Sequence, residues 1–147
     1  MVCFSLYSAS RAATRLYAEL LEPWGLTYTQ YLVLVVLSAE GPQPVKQLGE
    51  RLQLDSGTLS PLLKRLEAKG YVEKERSAAD SRKVVIALSD AGRKLQQDLE
   101  QVGGQFACGT GLESVQQAQS LIAQLNQLTA SMQHYQDTTH TTANERQ

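Results

Sequence analysis

Cys3 and Cys108 are the residues of this 147-residue chain best suited to covalent chemistry. A cysteine reacts as its thiolate, so a reactive one needs a sulfur that is partly ionised and reachable. Cys3 falls in the first turn of a predicted helix, where the positive end of the helix dipole favours an anion. No histidine is near it, so further support has to come from hydroxyl donors or basic groups. Tyr7 stands one turn along the same helix, and Tyr17 and Tyr28 follow 14 and 25 residues beyond Cys3. Any one of these tyrosines reads more simply as a core aromatic, and free cysteines are most often small buried hydrophobes. On spacing alone the roles of Tyr17 and Tyr28 stay open. With both histidines near the C-terminus and no CxxC pair, a zinc site has little support. Neither a metal, a cofactor nor a catalytic residue is assigned.

A second set of residues suits a polyanion. Ser56, Thr58, Ser60, Pro61, Lys64 and Arg65 fall on the outer face of a predicted helix whose inner face is Leu59, Leu62, Leu63 and Leu66. Hydroxyls and cations near a helix N-terminus suit phosphates and base edges in a DNA major groove. Thr58 and Ser60 cannot read a base bidentately, so sequence preference leans on Lys64, Arg65 and apolar contacts. Further on, Asp80 and Arg82 sit at a polar tip, from which an arginine can enter a narrow minor groove. Out of this setting the same residues would describe only a capped soluble helix and a solvated turn. Charge points the same way: residues 45–94 hold eleven Lys or Arg against seven Asp or Glu, net +4, whereas the remainder holds three against eight, net -5. A basic segment in an acidic chain is a modest sign of a polyanion-binding lobe.

The elements that must position these residues follow from periodicity. Residues 2–22 approximate a helical stripe through Phe4, Leu6, Tyr7, Leu16, Tyr17, Leu20 and Leu21, stopped by Pro23 and Gly25. Thr27 or Thr29 can cap the next helix, YTQYLVLVVLS, which is apolar nearly all round and therefore buried. After Gly41-Pro42, Val45, Leu48 and Leu52 mark a helix of about two turns. A turn at 54–57 leads into TLSPLLKRLEAKG, closed by Gly70 as its C-cap. Short helix, short turn and second helix form the helix-turn-helix plan. Residues 71–76 and 83–88 then read as two strands around the tip at 77–81, a hairpin wing. Ser89-Asp90-Ala91-Gly92 caps a helix expected to run to about Val102. Four glycines in residues 103–111 predict a flexible loop carrying Cys108, and a last helix is expected over 112–135. The chain is therefore mainly α with a small β-hairpin wing. It reads as one domain over 1–135, with a DNA-binding lobe at about 45–90, dimerisation helices at about 2–22 and 89–135, and a flexible tail at 136–147.

Hydrophobic content of 42% and charged content of 20% describe an ordinary globular chain. No apolar run reaches the roughly 18 residues that span a bilayer, and the N-terminus lacks the features of a signal peptide. A cytoplasmic protein without a membrane partner is expected, in a compartment where a permanent structural disulfide is rare.

The segments LTYTQYLVLVVL and VKQLGERLQLDSGTLSPLLKRLEAKGYVEKERSAADSRKVVIALSDAGRKL resemble the MarR family of winged helix-turn-helix regulators, including its wing pattern of Asp, one residue, Arg and a later Leu-Ser. Within that family, CFSLYSASR and LDSGTLSPLLKRLE resemble the organic-hydroperoxide-resistance repressors. The resemblance is strong over roughly residues 3–100 and weak over the final helices. It implies a homodimer that holds a pseudo-palindromic double-stranded DNA operator, with Arg82 in the minor groove and Asp80 orienting the wing. It also implies an organic hydroperoxide as inducer. Cys3 would be oxidised to sulfenic acid while hydrogen-bonded by Tyr17 and Tyr28 of the other subunit, with Tyr7 a further member of that pocket. Cys108 would match the second cysteine that resolves the oxidised one across the dimer; in one-cysteine relatives a small thiol does this instead. The alternative is the same kind of repressor released by an aromatic or phenolic ligand lined by Tyr17, Trp24 and Tyr28. An enzyme is not expected, because no Arg or Thr motif for peroxide activation accompanies Cys3.

Overall fold

The computed structural model describes residues 1–76 and 84–144. The chain divides into two compact units, one spanning Met1–Gly109 and one beginning at Thr110.

The first unit opens with α1 (Val2–Leu21), a 3-10 turn (Glu22–Trp24) and α2 (Tyr28–Glu40). Thr27 caps α2 in a reciprocal box: its hydroxyl accepts the Gln30 N–H at 3.3 Å, and the Gln30 side-chain oxygen accepts the Thr27 N–H at 3.0 Å. Next come β1 (Gln43–Pro44), α3 (Val45–Leu52) and α4 (Ser56–Ala68). Asp55 caps α4, accepting the Thr58 N–H at 2.8 Å and the Thr58 hydroxyl at 3.0 Å. At its far end the Gly70 N–H reaches the Glu67 carbonyl and the Tyr71 N–H reaches the Leu66 carbonyl. That Schellman closure needs Gly70 at φ +74°.

Strands β2 (Val72–Arg76) and β3 (Val84–Leu88) pair antiparallel from Val72 opposite Leu88 to Arg76 opposite Val84. The short β1, which periodicity could not show, pairs with the other edge of β3, so the described strands run β1-β3-β2. A proline is tolerated there because β1 is an edge strand. The core gathers Leu21 from α1, Val33 and Leu34 from α2, Leu48 from α3, Leu59 and Leu66 from α4, and Ile86 from β3, each at most 1% exposed.

Ser89 links this lobe to α5 (Asp90–Gly109): its hydroxyl donates to the Gly70 carbonyl and accepts the Gly92 N–H. The expectation that this helix ends near Val102 in a glycine-rich loop is wrong. It continues through Gly109, and Cys108 lies on its last turn. Helical glycine costs up to about 1 kcal/mol relative to alanine, but here packing offsets that cost. Phe106 stacks on Tyr17, and a Cβ on Gly109 would stand 2.7 Å from a Leu16 methyl. Glycine there allows α5 to lie close against α1.

The second unit holds α6 (Val115–Asn144). It starts slightly later than expected and stays helical well past 135, so the tail expected from 136 is helix as far as Asn144. Along it Val115, Ile122, Leu125, Met132 and Tyr135 are exposed.

Candidate thiol site and nucleic-acid interface

Alpha-helical geometry separates the sequence-derived thiol residues into two groups. Cys3 is exposed on the first turn of α1, and Tyr7 is exposed one turn later, with the Arg11 guanidinium 5.7 Å from its ring centre. Tyr17 lies toward the other end of that helix, about 21 Å from Cys3 at the usual rise per residue.

There Tyr17 is the centre of an aromatic cluster. Its ring stacks on Tyr28 at 4.2 Å and 14° and on Phe106 at 4.2 Å and 18°, with Tyr31 tilted beside it at 5.5 Å. The capping box sets the start of α2, and Tyr28 and Tyr31, three residues apart, share one face of it. Burial, then the neighbouring Tyr28 and Tyr31, push the Tyr17 phenol up to about 12. Burial also raises Tyr28, and burial followed by Tyr28 raises Tyr31. All three stay protonated at neutral pH, so the cluster offers O–H donors to an anion.

The α5 helix brings Cys108 to this same end. Gly109 abuts Leu16, and Phe106 lies on Tyr17. Cys108 is exposed and stands about 20 Å from Cys3 along the α1 axis. A disulfide needs Cα atoms within about 7 Å, so the two cysteines of one chain are too far apart to join in this arrangement. The structure thus unites Tyr17, Tyr28 and the Cys108 turn, and sets Cys3 with Tyr7 apart from them. Sequence reasoning missed Tyr31 and Phe106. Tyr31 was signalled by its helical spacing from Tyr28, whereas Phe106 was hidden in a stretch read as loop.

On the DNA-facing candidate, Ser56, Thr58, Ser60, Pro61, Lys64 and Arg65 are all exposed on α4, opposite its buried leucines. The Thr58 hydroxyl proton is committed to Asp55, which leaves its oxygen as an acceptor and makes Thr58 part of the cap. Asp80 and Arg82 lie outside the described residues. No helix among the described residues is long and apolar enough to cross a membrane.

Comparison with known proteins places these features in a family. The family described as transcriptional regulator SarA/Rot matches residues 15–99. HTH-type transcriptional regulator TtmR of Methylorubrum extorquens is 54% identical over 95 residues, 65% of this chain, and the match spans about half (49%) of that protein's length. The organic hydroperoxide resistance transcriptional regulator of Bacillus subtilis is 43% identical over 103 residues, 70% of each chain. Among solved structures, AbfR of Staphylococcus epidermidis has a TM-score of 0.76 and 34% identity, covering 90% of this chain and 91% of its own. AbfR has also been solved reduced and bound to DNA (TM-score 0.70, 36% identity, covering 89% and 91%) and in a disulfide form (0.62, 38%, covering 87% and 89%). A MarR regulator of Methanosarcina mazei shares the fold, with a TM-score of 0.74 at 19% identity over 90% and 96% of the two chains. The chain belongs to the SarA/Rot family of transcriptional regulators, winged-helix proteins of the MarR type.

Proposed function

We propose that this chain is a homodimeric repressor that binds a pseudo-palindromic DNA operator and releases it when an organic hydroperoxide oxidises Cys3. DNA contact is supported by the exposed face of α4 and by the DNA-bound form of AbfR. In the same reading Arg82 is assigned to the minor groove and Asp80 to orienting the wing. The homodimer is supported by Val2, Phe4 and Tyr7 of α1, each more than half exposed. Large apolar side chains grouped on one helix end mark an interaction surface.

The observation that carries the redox reading is the division of the thiol site within one chain. The phenol donors and Cys108 sit together, about 20 Å along α1 from Cys3. A second copy that brings its tyrosine cluster to Cys3 brings its Cys108 to the same place. Donor and resolving roles then both come from the same end of the partner. The hydroperoxide transfers an oxygen atom to the Cys3 thiolate, giving sulfenic acid and the corresponding alcohol. The partner's Cys108 thiol then forms the disulfide and releases water. Each event is one turnover of a sensor, and no enzymatic cycle is involved.

Nonreducing electrophoresis after treatment with cumene hydroperoxide tests this reading. Wild type should give a covalent dimer that dithiothreitol reverses, and Cys3→Ser should give none while still binding operator. Operator release by peroxide in Cys3→Ser would refute the reading. The aromatic-ligand reading has less support. Tyr17 and Tyr28 are in face-to-face contact and leave no slot between them.

A further inference from the structure

We propose that Phe106 is a latch that holds the resolving cysteine away from the thiol site, so that breaking its stack on Tyr17 limits disulfide formation. The proposal rests on the redox reading above.

Phe106 and Cys108 are two residues apart on α5, which places them about 200° apart around the helix. With the Phe106 ring laid on Tyr17 at 4.2 Å, Cys108 is turned away from the tyrosine cluster, and it is exposed. The sulfenic acid that Cys108 must attack would lie on the cluster side, because the phenol donors are there. Cys108 can reach that side only if the last turns of α5 rotate or unwind, and either motion lifts Phe106 off Tyr17.

The rest of the arm is built to give way. Gly103 and Gly104 sit in mid-helix, and a Cβ on Gly104 would meet nothing within 4 Å. Packing therefore does not require glycine at 104, where it weakens the helix. Gly109 lies close against Leu16 of α1. The Phe106–Tyr17 stack attaches the arm to the donors.

The chemical step is the one given above. The Cys108 thiolate attacks the sulfenic sulfur of Cys3, the S–S bond forms as the S–O bond breaks, and the departing hydroxide takes up a proton to become water. The hydroperoxide supplies the two oxidising equivalents. Phe106 takes no part in bond-making and acts only on the position of Cys108.

The test uses the full-length protein mixed rapidly with one equivalent of cumene hydroperoxide. Sulfenic acid formation and covalent dimer formation are followed separately in wild type, Phe106→Ala, Phe106→Leu and Phe106→Tyr. Sulfenic acid should form at the wild-type rate in all four. The dimer should form roughly two- to tenfold faster in the Ala and Leu variants, the scale of one ring–ring contact, and at about the wild-type rate in Phe106→Tyr, which keeps the ring. Phe106→Leu retains apolar bulk, so the test survives if the Ala variant folds poorly. Unchanged or slower dimer formation in the Leu variant would overturn the latch while leaving the redox reading intact. Slower sulfenic acid formation matching that of Tyr17→Phe would also overturn it, because Phe106 would then be acting on the donor. A wild type that forms no dimer removes the resolving role of Cys108 and the latch together, and loss of peroxide-driven operator release in Cys3→Ser then still separates this from failure of the redox reading.

Discussion

Tyr17 has a proposed donor role and a role in alkaline stability, which experiment can separate. As a neutral phenol it can donate to the anionic sulfur of a partner's Cys3, and hydrogen bonds to charged groups contribute about 1.5–3 kcal/mol. Tyr17→Phe should therefore slow sulfenic acid formation by roughly tenfold or more, measured with limiting hydroperoxide, and leave operator affinity unchanged. Its second role concerns alkaline stability. Burial, followed by Tyr28 and Tyr31, raises the Tyr17 phenol from its ordinary value of 10.0 to about 12. The folded state therefore binds this proton more tightly than the unfolded state does. The resulting stability is fully present below pH 10 and is lost as pH climbs toward 12. Tyr17→Phe removes that dependence, so its midpoint of alkaline unfolding should move upward. An unchanged oxidation rate would leave Tyr17 as packing alone. Arg82 belongs to the proposed DNA contact. If it enters the minor groove, Arg82→Ala should weaken operator binding and reduce the slope of log affinity against log salt by about one. Equal affinities for variant and wild type across a salt titration would leave the wing without that contact.

Ser89 and Gly92 make the junction between the DNA-binding lobe and α5 a close fit. A Cβ at position 92 would stand 2.0 Å from the Tyr71 carbonyl oxygen, and backbone cannot move aside as a flexible side chain can. Gly92→Ala should destabilise the protein by about 3 kcal/mol through overpacking, a fall in melting temperature of order 10 °C. A loss of a degree or two in calorimetry would mean the junction is looser than its geometry. Nothing local marks this glycine as special, since the contact depends on how the wing folds back. The same distinction separates what was legible in the sequence from what was not. Leu59, Leu62, Leu63 and Leu66 announced the inner face of α4 because helical period alone decides it. Tyr17 and Tyr28 were legible as a set because their offsets from Cys3 match a family pattern. Residues 103–109 misled because glycine content reports local propensity, whereas their helix is held by Leu16 and Tyr17, far away in sequence. Phe106 was lost with that misreading, and the two-residue β1 is too short to have any period.

Across the whole molecule, the separation of Cys3 from Cys108 makes the dimer a chemical requirement of the proposed switch. In that switch the two halves of each redox centre come from different chains, and mixed dimers can test this directly. A heterodimer of a Cys3→Ser chain with a Cys108→Ser chain contains one Cys3 and one Cys108, placed on opposite subunits. A heterodimer of wild type with the double variant contains the same two residues on one subunit. Composition and net oxidation capacity are thus matched, and only connectivity differs. Peroxide should covalently link the first heterodimer and should not link the second, whose cysteines are held about 20 Å apart along α1. The first should also lose operator affinity in a dithiothreitol-reversible way, since one disulfide joins the subunits whose two α4 helices must match the operator spacing. In the second, oxidised Cys3 has no opposite Cys108 and should progress toward sulfinic acid under excess peroxide. Linkage in wild type but not in the first heterodimer would point to a Cys3–Cys3 bond. An intrachain disulfide in the second, seen by mass spectrometry of the reduced and oxidised peptides, would show that α5 moves far enough to carry Cys108 the length of α1, and the two-chain mechanism would fall.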